Sequence, residues 1–153
     1  MHMFEFEGLD ELSDTMIMVS KAYPKGIKKF MQSEGNKLKN KTLKIAKSSV
    51  GVKTGNFLKG IKRGKYYKYV ENGADSIRVY AGGQAMHSHL IEYGHEMITP
   101  KTRKGKKLNN GGKSVGRVLG YHIFSVSANM FENTYEKDCE KFADKIIEPL
   151  NKG

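Results

Sequence analysis

The stretch VKTGNFLKGI, Val52 to Ile61, is where phosphate chemistry would be sought first. A phosphate loop needs Gly, four residues, Gly, then Lys and Ser or Thr, because backbone N–H groups cradle the phosphates while the Lys reaches them. Gly55 and Gly60 have that separation, but Ile61 stands where the Lys belongs, Lys62 comes one place late and Arg63 replaces the hydroxyl. A lysine-rich segment precedes the stretch, where an apolar strand is required. The residues suit a helix-to-strand connection instead. Gly51 ends a long helix, Gly55 takes a turn that side chains resist, and Phe57, Leu58 and Ile61 return to the core.

The other candidate chemistries are as thin. His87 and His89 are one residue apart, with His95 and His122 elsewhere. Zinc needs three or four converging ligands, residues i and i+2 of a helix do not face each other, and no Cys pair supports them. Capping and surface roles are expected. Cys139 is the only cysteine, so no intramolecular disulfide can form, which fits a reducing compartment. It lies on a Lys/Glu-rich terminal segment and reads as a half-buried structural cysteine rather than a thiol nucleophile. Glu92 and Glu96 do not form an acid–base pair; Glu92 is expected to anchor a short helix through a structural hydrogen bond. The sequence has no nucleophile elbow, no dinucleotide fingerprint and no cluster of carboxylates of the kind nucleases use for metal. No enzyme, metal or cofactor is expected.

Charge is the stronger signal. The 153 residues carry a formal net charge of +11, and 28% of them are charged. Such a charge favours an anionic partner: nucleic acid, a membrane surface or an acidic protein face. From Lys101 to Arg117 the cations are Lys101, Arg103, Lys104, Lys106, Lys107, Lys113 and Arg117, with no acid among them. Gly and Asn separate them, so this reads as a flexible basic loop, about 99–117, which follows a phosphate backbone, meets an acidic neighbour or stays solvated with no role beyond solubility. It contains no aromatic residue for stacking on single strands. Tyr66, Tyr67, Tyr69 and Tyr80 lie among basic residues on predicted strands. They read as core or subunit-interface residues ahead of base-stacking ones.

The elements that must position these residues follow from periodicity. Phe4 and Phe6 alternate with Glu5 and Glu7, a short strand ended by Gly8. Leu9, Leu12, Met16 and Val19 recur every three or four residues and predict a helix over 9–23, interrupted by Pro24 and Gly26. A second helix runs from Pro24 to Ser49, with Ile27, Met31, Leu38 and Ile45 near one face; Gly35 weakens it. Two β-rich runs around Asn72-Gly73 predict an antiparallel hairpin. MHSHLIEYG is a short helix closed by Gly94. RVLGYHIFSV reads as a strand. The chain closes on an amphipathic helix with Phe131, Tyr135, Phe142, Ile146 and Leu150 on one face and Ser127 or Asn129 as N-cap. This is one α+β domain, 1–153, with N-terminal helices and a C-terminal helix on a small antiparallel sheet. No apolar run approaches the roughly 20 residues needed to cross a bilayer. The acidic N-terminus is unlike a secretory signal, so a soluble cytoplasmic chain without membrane contact is expected.

Four stretches together resemble the tail-component, or neck, proteins of siphophages. VKTGNFLKGI is similar to that family's Val-x-Thr-Gly-x-Leu element, carrying Thr54 and Gly55. EGLDEL, Glu7 to Leu12, looks like its N-terminal start. HLIEYGHEMIT, His89 to Thr99, looks like its central His-Leu-x-Glu-Tyr/Phe-Gly element, here Glu92, Tyr93 and Gly94. GYHIFSVSANMFENTYEK, Gly120 to Lys137, resembles its closing strand and helix. The resemblance implies an α+β structural virion protein at the head–tail interface, built in the host cytoplasm. It implies tail completion or head–tail joining as a homo-oligomeric ring around the DNA channel, beside connector and tail proteins and in possible non-specific contact with double-stranded DNA. The departure is the stretch from Thr99 to Arg117, longer and more basic than the family's connection. The alternative is a cellular, non-sequence-specific nucleic-acid-binding domain that uses the same charge without a ring.

Overall fold

Residues 10–50, 55–83 and 85–151 are described by a computed structural model. The Phe4–Phe6 strand, Gly51 and Thr54 therefore lie outside the described residues. Helix α1 is Asp10–Ala22 and α2 is Pro24–Val50, both close to the predicted bounds. Pro24 opens α2 because its missing N–H is not needed in a first turn. The buried positions of α2 are Gly26, Ile27, Met31, Glu34, Gly35, Thr42 and Ala46, a stripe at helical spacing that also contains a carboxylate. Gly35 is explained by packing: a Cβ there would come within 2.9 Å of Arg63 and 3.1 Å of Ile77.

Gly55, at φ 71°, starts the short helix α3 (Asn56–Gly60), which runs into β1 (Ile61–Arg63). β2 (Tyr67–Lys68), β3 (Asp75–Ser76) and β4 (Val79–Ala81) complete an interrupted antiparallel hairpin, with Ile61 opposite Ala81 and Tyr67 opposite Ser76. Its turn forms where the Asn-Gly pair predicts. Asn72 Oδ1 accepts the Ala74 N–H at 3.0 Å and Gly73 has φ 68°. The phosphate-loop reading has no backbone to stand on, since residues 56–60 are helical and Lys62 pairs with Tyr80 in a strand.

Helix α4 (Ser88–Tyr93) leads into β5 (Gly94–Ile98), β6 (Thr102–Arg103), β7 (Lys106–Lys107) and β8 (Ser114–Leu119). Helix α5 (Ile123–Asn151) closes the fold. The predicted strand over 117–126 is thus corrected: the strand ends at Leu119 and the helix begins four residues before Ser127. The bend between them is tied to α4, with Tyr121 N–H donating to Ile91 O at 2.8 Å and His122 N–H to Glu92 O at 3.1 Å. Ser127 is no N-cap; its hydroxyl donates to Ile123 O at 2.6 Å inside the helix.

The architecture is α+β. α2 and α5 run antiparallel, since Phe30 stacks on Phe142 at 4.4 Å while Lys41, further along, donates to Met130 O at 2.5 Å. α1 packs on both, and the first hairpin packs on α2. A core of Ala46, Ile61 and Ile123, with Leu43, Phe57, Val79, Ile91 and Phe124 around it, joins α2, the hairpin, α4 and the start of α5. Among the described residues no helix is long and apolar enough to cross a membrane.

Candidate functional site

Glu92 and Gly94 build one junction. The Glu92 carboxylate, buried on α4, accepts the Phe124 N–H at 3.2 and 3.1 Å and the Ser125 N–H at 3.3 Å. These belong to the first turn of α5, whose N–H groups have no partner within the helix. Glu92 therefore caps α5 across space, the structural role its position predicts, on a different helix from the one expected. Gly94 closes α4 with φ 76° and ψ 179°, a region open essentially to glycine alone, and its N–H donates to Leu90 O. Tyr93 is exposed and meets His122 edge-on at 6.4 Å.

From Gly94 the chain leaves the body. β5 and β8 pair from Gly94↔Leu119 to Ile98↔Ser114, with a bulge between Met97 and Ile98. β6 and β7 pair beyond them, and Lys104 and Gly105 make the tip with φ 49° and 77°. The stretch expected as a loop is thus a β-hairpin arm. Thr99 pins its side bend: Thr99 Oγ1 donates to Asn110 O and accepts the Lys113 N–H at 3.1 Å, while Gly112 N–H donates to Thr99 O at 2.9 Å. The local reason is chemical. Lys104-Gly105 suits a two-residue hairpin turn, and glycines supply the positive φ that the bend at Gly112 requires.

The arm's substantial packing on the body is with α4, at its root. Both faces of its strands are open: Met97, Ile98, Val115, Val118 and Leu119 are all exposed, Leu119 at 79%. Arg103, Lys104, Lys106 and Lys107 cluster at the tip. Lys101 and Lys113 lie at the bend. Arg117 does not belong with them; it lies on β8 opposite Glu96.

A second surface faces the first hairpin. A groove of about 400 Å³ runs between α2, α5 and β2–β3, with apolar walls from Met31, Leu38, Ile77 and Phe131. Among the described residues four carboxylates line it, Glu34, Asp75, Glu132 and Glu136, and no Lys or Arg does. Glu34 is 3% exposed. Lys37 Nζ reaches its Oε1 and Asp138 Oδ2, both at 2.7 Å, while among the described residues Glu34 Oε2 receives no donor. Burial pushes the Glu34 carboxyl above its ordinary value despite Lys37. The hydrogen bond from Lys37 holds Asp138 below its own, and Asp138 and then Glu34 raise Lys37. Lys37→Ala leaves Glu34 without its donor. Breaking a buried pair costs ~3–5 kcal/mol, but Lys37 is 46% exposed, so solvent screening brings the expected loss to about 1–2 kcal/mol. Glu34→Gln, which removes the buried charge, is expected to cost less. Urea denaturation of both variants checks the order.

Asp75 closes the other wall. Tyr66 Oη donates to its Oδ1, and Lys68 Nζ lies 3.2 Å from the same oxygen. Burial opposes its ionised form, but hydrogen bonds from Ser20, Tyr66 and Lys68 outweigh this and hold the carboxyl below its ordinary 3.8. Burial, then Asp75, pushes the Tyr66 phenol up to about 12. Because the folded value of Asp75 lies below the unfolded one, its contribution to stability is full above about pH 4 and is lost as pH falls through the folded value. Wild type should therefore lose stability as pH falls below about 4 that Asp75→Asn does not lose, measured by urea midpoints at each pH.

The predicted tyrosines are divided by the fold. Tyr67 is exposed and lines this groove; Tyr66 serves Asp75; Tyr69 is half-buried beside the turn; Tyr80 carries Arg78 over its ring at 5.0 Å. Tyr80, His89, Glu92 and Tyr93 border a second cavity that shares Leu38 and Ala128 with the first. Among the described residues, no three His, Cys, Asp or Glu side chains group so as to hold a metal ion. Cys139 is 2% exposed, and burial pushes its thiol up to about 11, so it stays protonated near neutral pH. It is more deeply buried than the half-buried placement expected.

Sequence reasoning missed the acidic groove. The signal was available in α2, where the spacing Ile27, Met31, Glu34, Leu38 places a carboxylate in the apolar stripe. No protein-family model, curated protein or solved structure matches this chain.

Proposed function

We propose that this chain is a structural virion protein of a tailed phage. It assembles side by side into a ring at the head–tail junction, beside connector and tail proteins and around the DNA channel. The observation that carries this reading is the hairpin arm. A two-stranded sheet with apolar side chains exposed on both faces is not stable in water by itself, and such exposed patches mark interaction surfaces. The basic tip adds a surface suited to an acidic neighbour or to duplex DNA. The resemblance of the four stretches supplies the phage context. The function is assembly, with no reaction catalysed. Deleting the gene from its phage and imaging the lysate tests it: filled heads with separate, unattached tails are expected. Normal infectious virions would overturn the reading.

One observation favours a second reading, a nucleic-acid-binding domain. From Met97 to Phe131 the chain contains no acidic residue, and a cationic hairpin arm can follow a phosphate backbone. In that case affinity for duplex DNA falls steeply with salt, about one unit of log slope per neutralised phosphate, and the protein is absent from virions.

A further inference from the structure

We infer that the acidic groove between α2, α5 and β2–β3 receives the basic hairpin tip of a second copy of this chain. The inference rests on the ring reading for its biological setting, but its physical basis is separate.

The two surfaces are complementary. The groove offers Glu34, Asp75, Glu132 and Glu136, with no cation among the described residues that line it. The two nearest lysines are already engaged, Lys37 by Glu34 and Asp138 and Lys68 by Asp75. The tip offers Arg103, Lys104, Lys106 and Lys107, with Glu96 the nearest acid in the sequence. Lys and Arg carry long apolar stems under a charged head. A groove with apolar walls and carboxylates suits that construction, because the stems cover Leu38 and Phe131 while the heads reach oxygen.

Glu34 is the independent pointer. Glu34 is 3% exposed and is one of the residues lining the groove, and among the described residues no group donates to its Oε2, an atom out of contact with solvent. A buried acceptor without a donor is costly, and an incoming N–H removes that cost. A guanidinium from Arg103 or an ammonium from a tip lysine supplies such donors once the Glu34 carboxylate turns toward the groove.

Geometry selects a second copy over the same one. The arm leaves the body at Gly94 and packs substantially only on α4. β5 alone runs roughly 16 Å at strand rise, and beyond the bend β6 and β7 pack substantially only on each other among the described residues, which leaves the tip open to a neighbour. Tip and groove are different surfaces, so the contact is head to tail, the kind that closes into a ring when the rotation allows. The exposed apolar strands of the arm would then lie against the neighbour as well.

The test uses the full chain. Lys104→Cys protein is mixed with Glu132→Cys protein and treated with a short bismaleimide; native Cys139 is buried and stays silent. Circular dichroism confirms that each variant folds. Covalent dimers are expected about tenfold above those from a mixture using Lys59→Cys, which lies outside the groove, because docking raises the local concentration. The excess should disappear at high salt. Equal yields from the two mixtures overturn the inference, as does cross-linking within one molecule of a Lys104→Cys/Glu132→Cys double variant. Oligomers that form without tip-to-groove cross-links overturn the docking and leave the ring. Tip-to-groove cross-links together with normal virions from the deletion phage uphold the docking and overturn the junction.

Discussion

Replacing Gly94 by Ala should lower the unfolding free energy by about 3–5 kcal/mol, combining a strained backbone with forced repacking. Two costs act together at this residue. Its φ of 76° with ψ of 179° belongs to a region that side chains disfavour. A Cβ there would lie 2.2 Å from Val118 O and 2.7 Å from Gly120 N, both backbone atoms that no rotamer change can move. The arm would separate from α4 at its root, and the turn into α5 would shift with it. In urea denaturation the midpoint should fall accordingly, and the melting temperature should drop by roughly 10 °C for a chain of this size. Gly105→Ala is the control. Gly105 also has positive φ, 77°, but a Cβ there meets nothing within 4 Å, so only the backbone cost of about 1–2 kcal/mol applies. Equal losses for the two variants would mean that the packing at the root of the arm is not what restricts Gly94.

The second large effect is expected at Glu92. Glu92→Ala removes the acceptor for the Phe124 and Ser125 N–H groups and leaves those donors beside a buried site. Loss of a cap costs about 0.5–2 kcal/mol, and hydrogen bonds to a carboxylate lie toward the upper end of net hydrogen-bond values, so about 2 kcal/mol is expected. Glu92→Gln keeps one acceptor oxygen and should lose about half of that. Amide exchange gives the local readout: Phe124 and Ser125 should exchange faster in Glu92→Ala, while amides near Phe142 should change only with global stability. Unchanged protection at Phe124 and Ser125 would show that Glu92 does not hold the start of α5.

The helices were largely legible in the residues. Ile27 and Met31 announced the buried face of α2, and Phe131, Tyr135 and Phe142 that of α5. Such stripes are readable because burial of one helical face repeats every three or four residues. The start of α5 was not legible. Its N-cap comes from Glu92, 32 residues earlier, and local rules for caps see only neighbours in sequence. The hairpin arm was misread for a related reason. Gly, Asn and Lys are common in loops, and its strands lack the alternation that marks a half-buried sheet, because neither face is covered within one chain. Arg117 was grouped with the tip cations by sequence proximity alone, whereas strand register sets it opposite Glu96.

By itself the sequence determined the net charge, the amphipathic helices, the Asn72-Gly73 turn and the acid-free basic run. All of these depend on residue type and short-range spacing. Only the tertiary structure decided that Glu34, Asp75, Glu132 and Glu136 share one groove, that Glu92 caps a distant helix, and that the basic run forms a hairpin arm. Those results depend on which elements pack together. That packing follows from filling a common core around Ala46, Ile61 and Ile123, a condition that no local window of the chain can express.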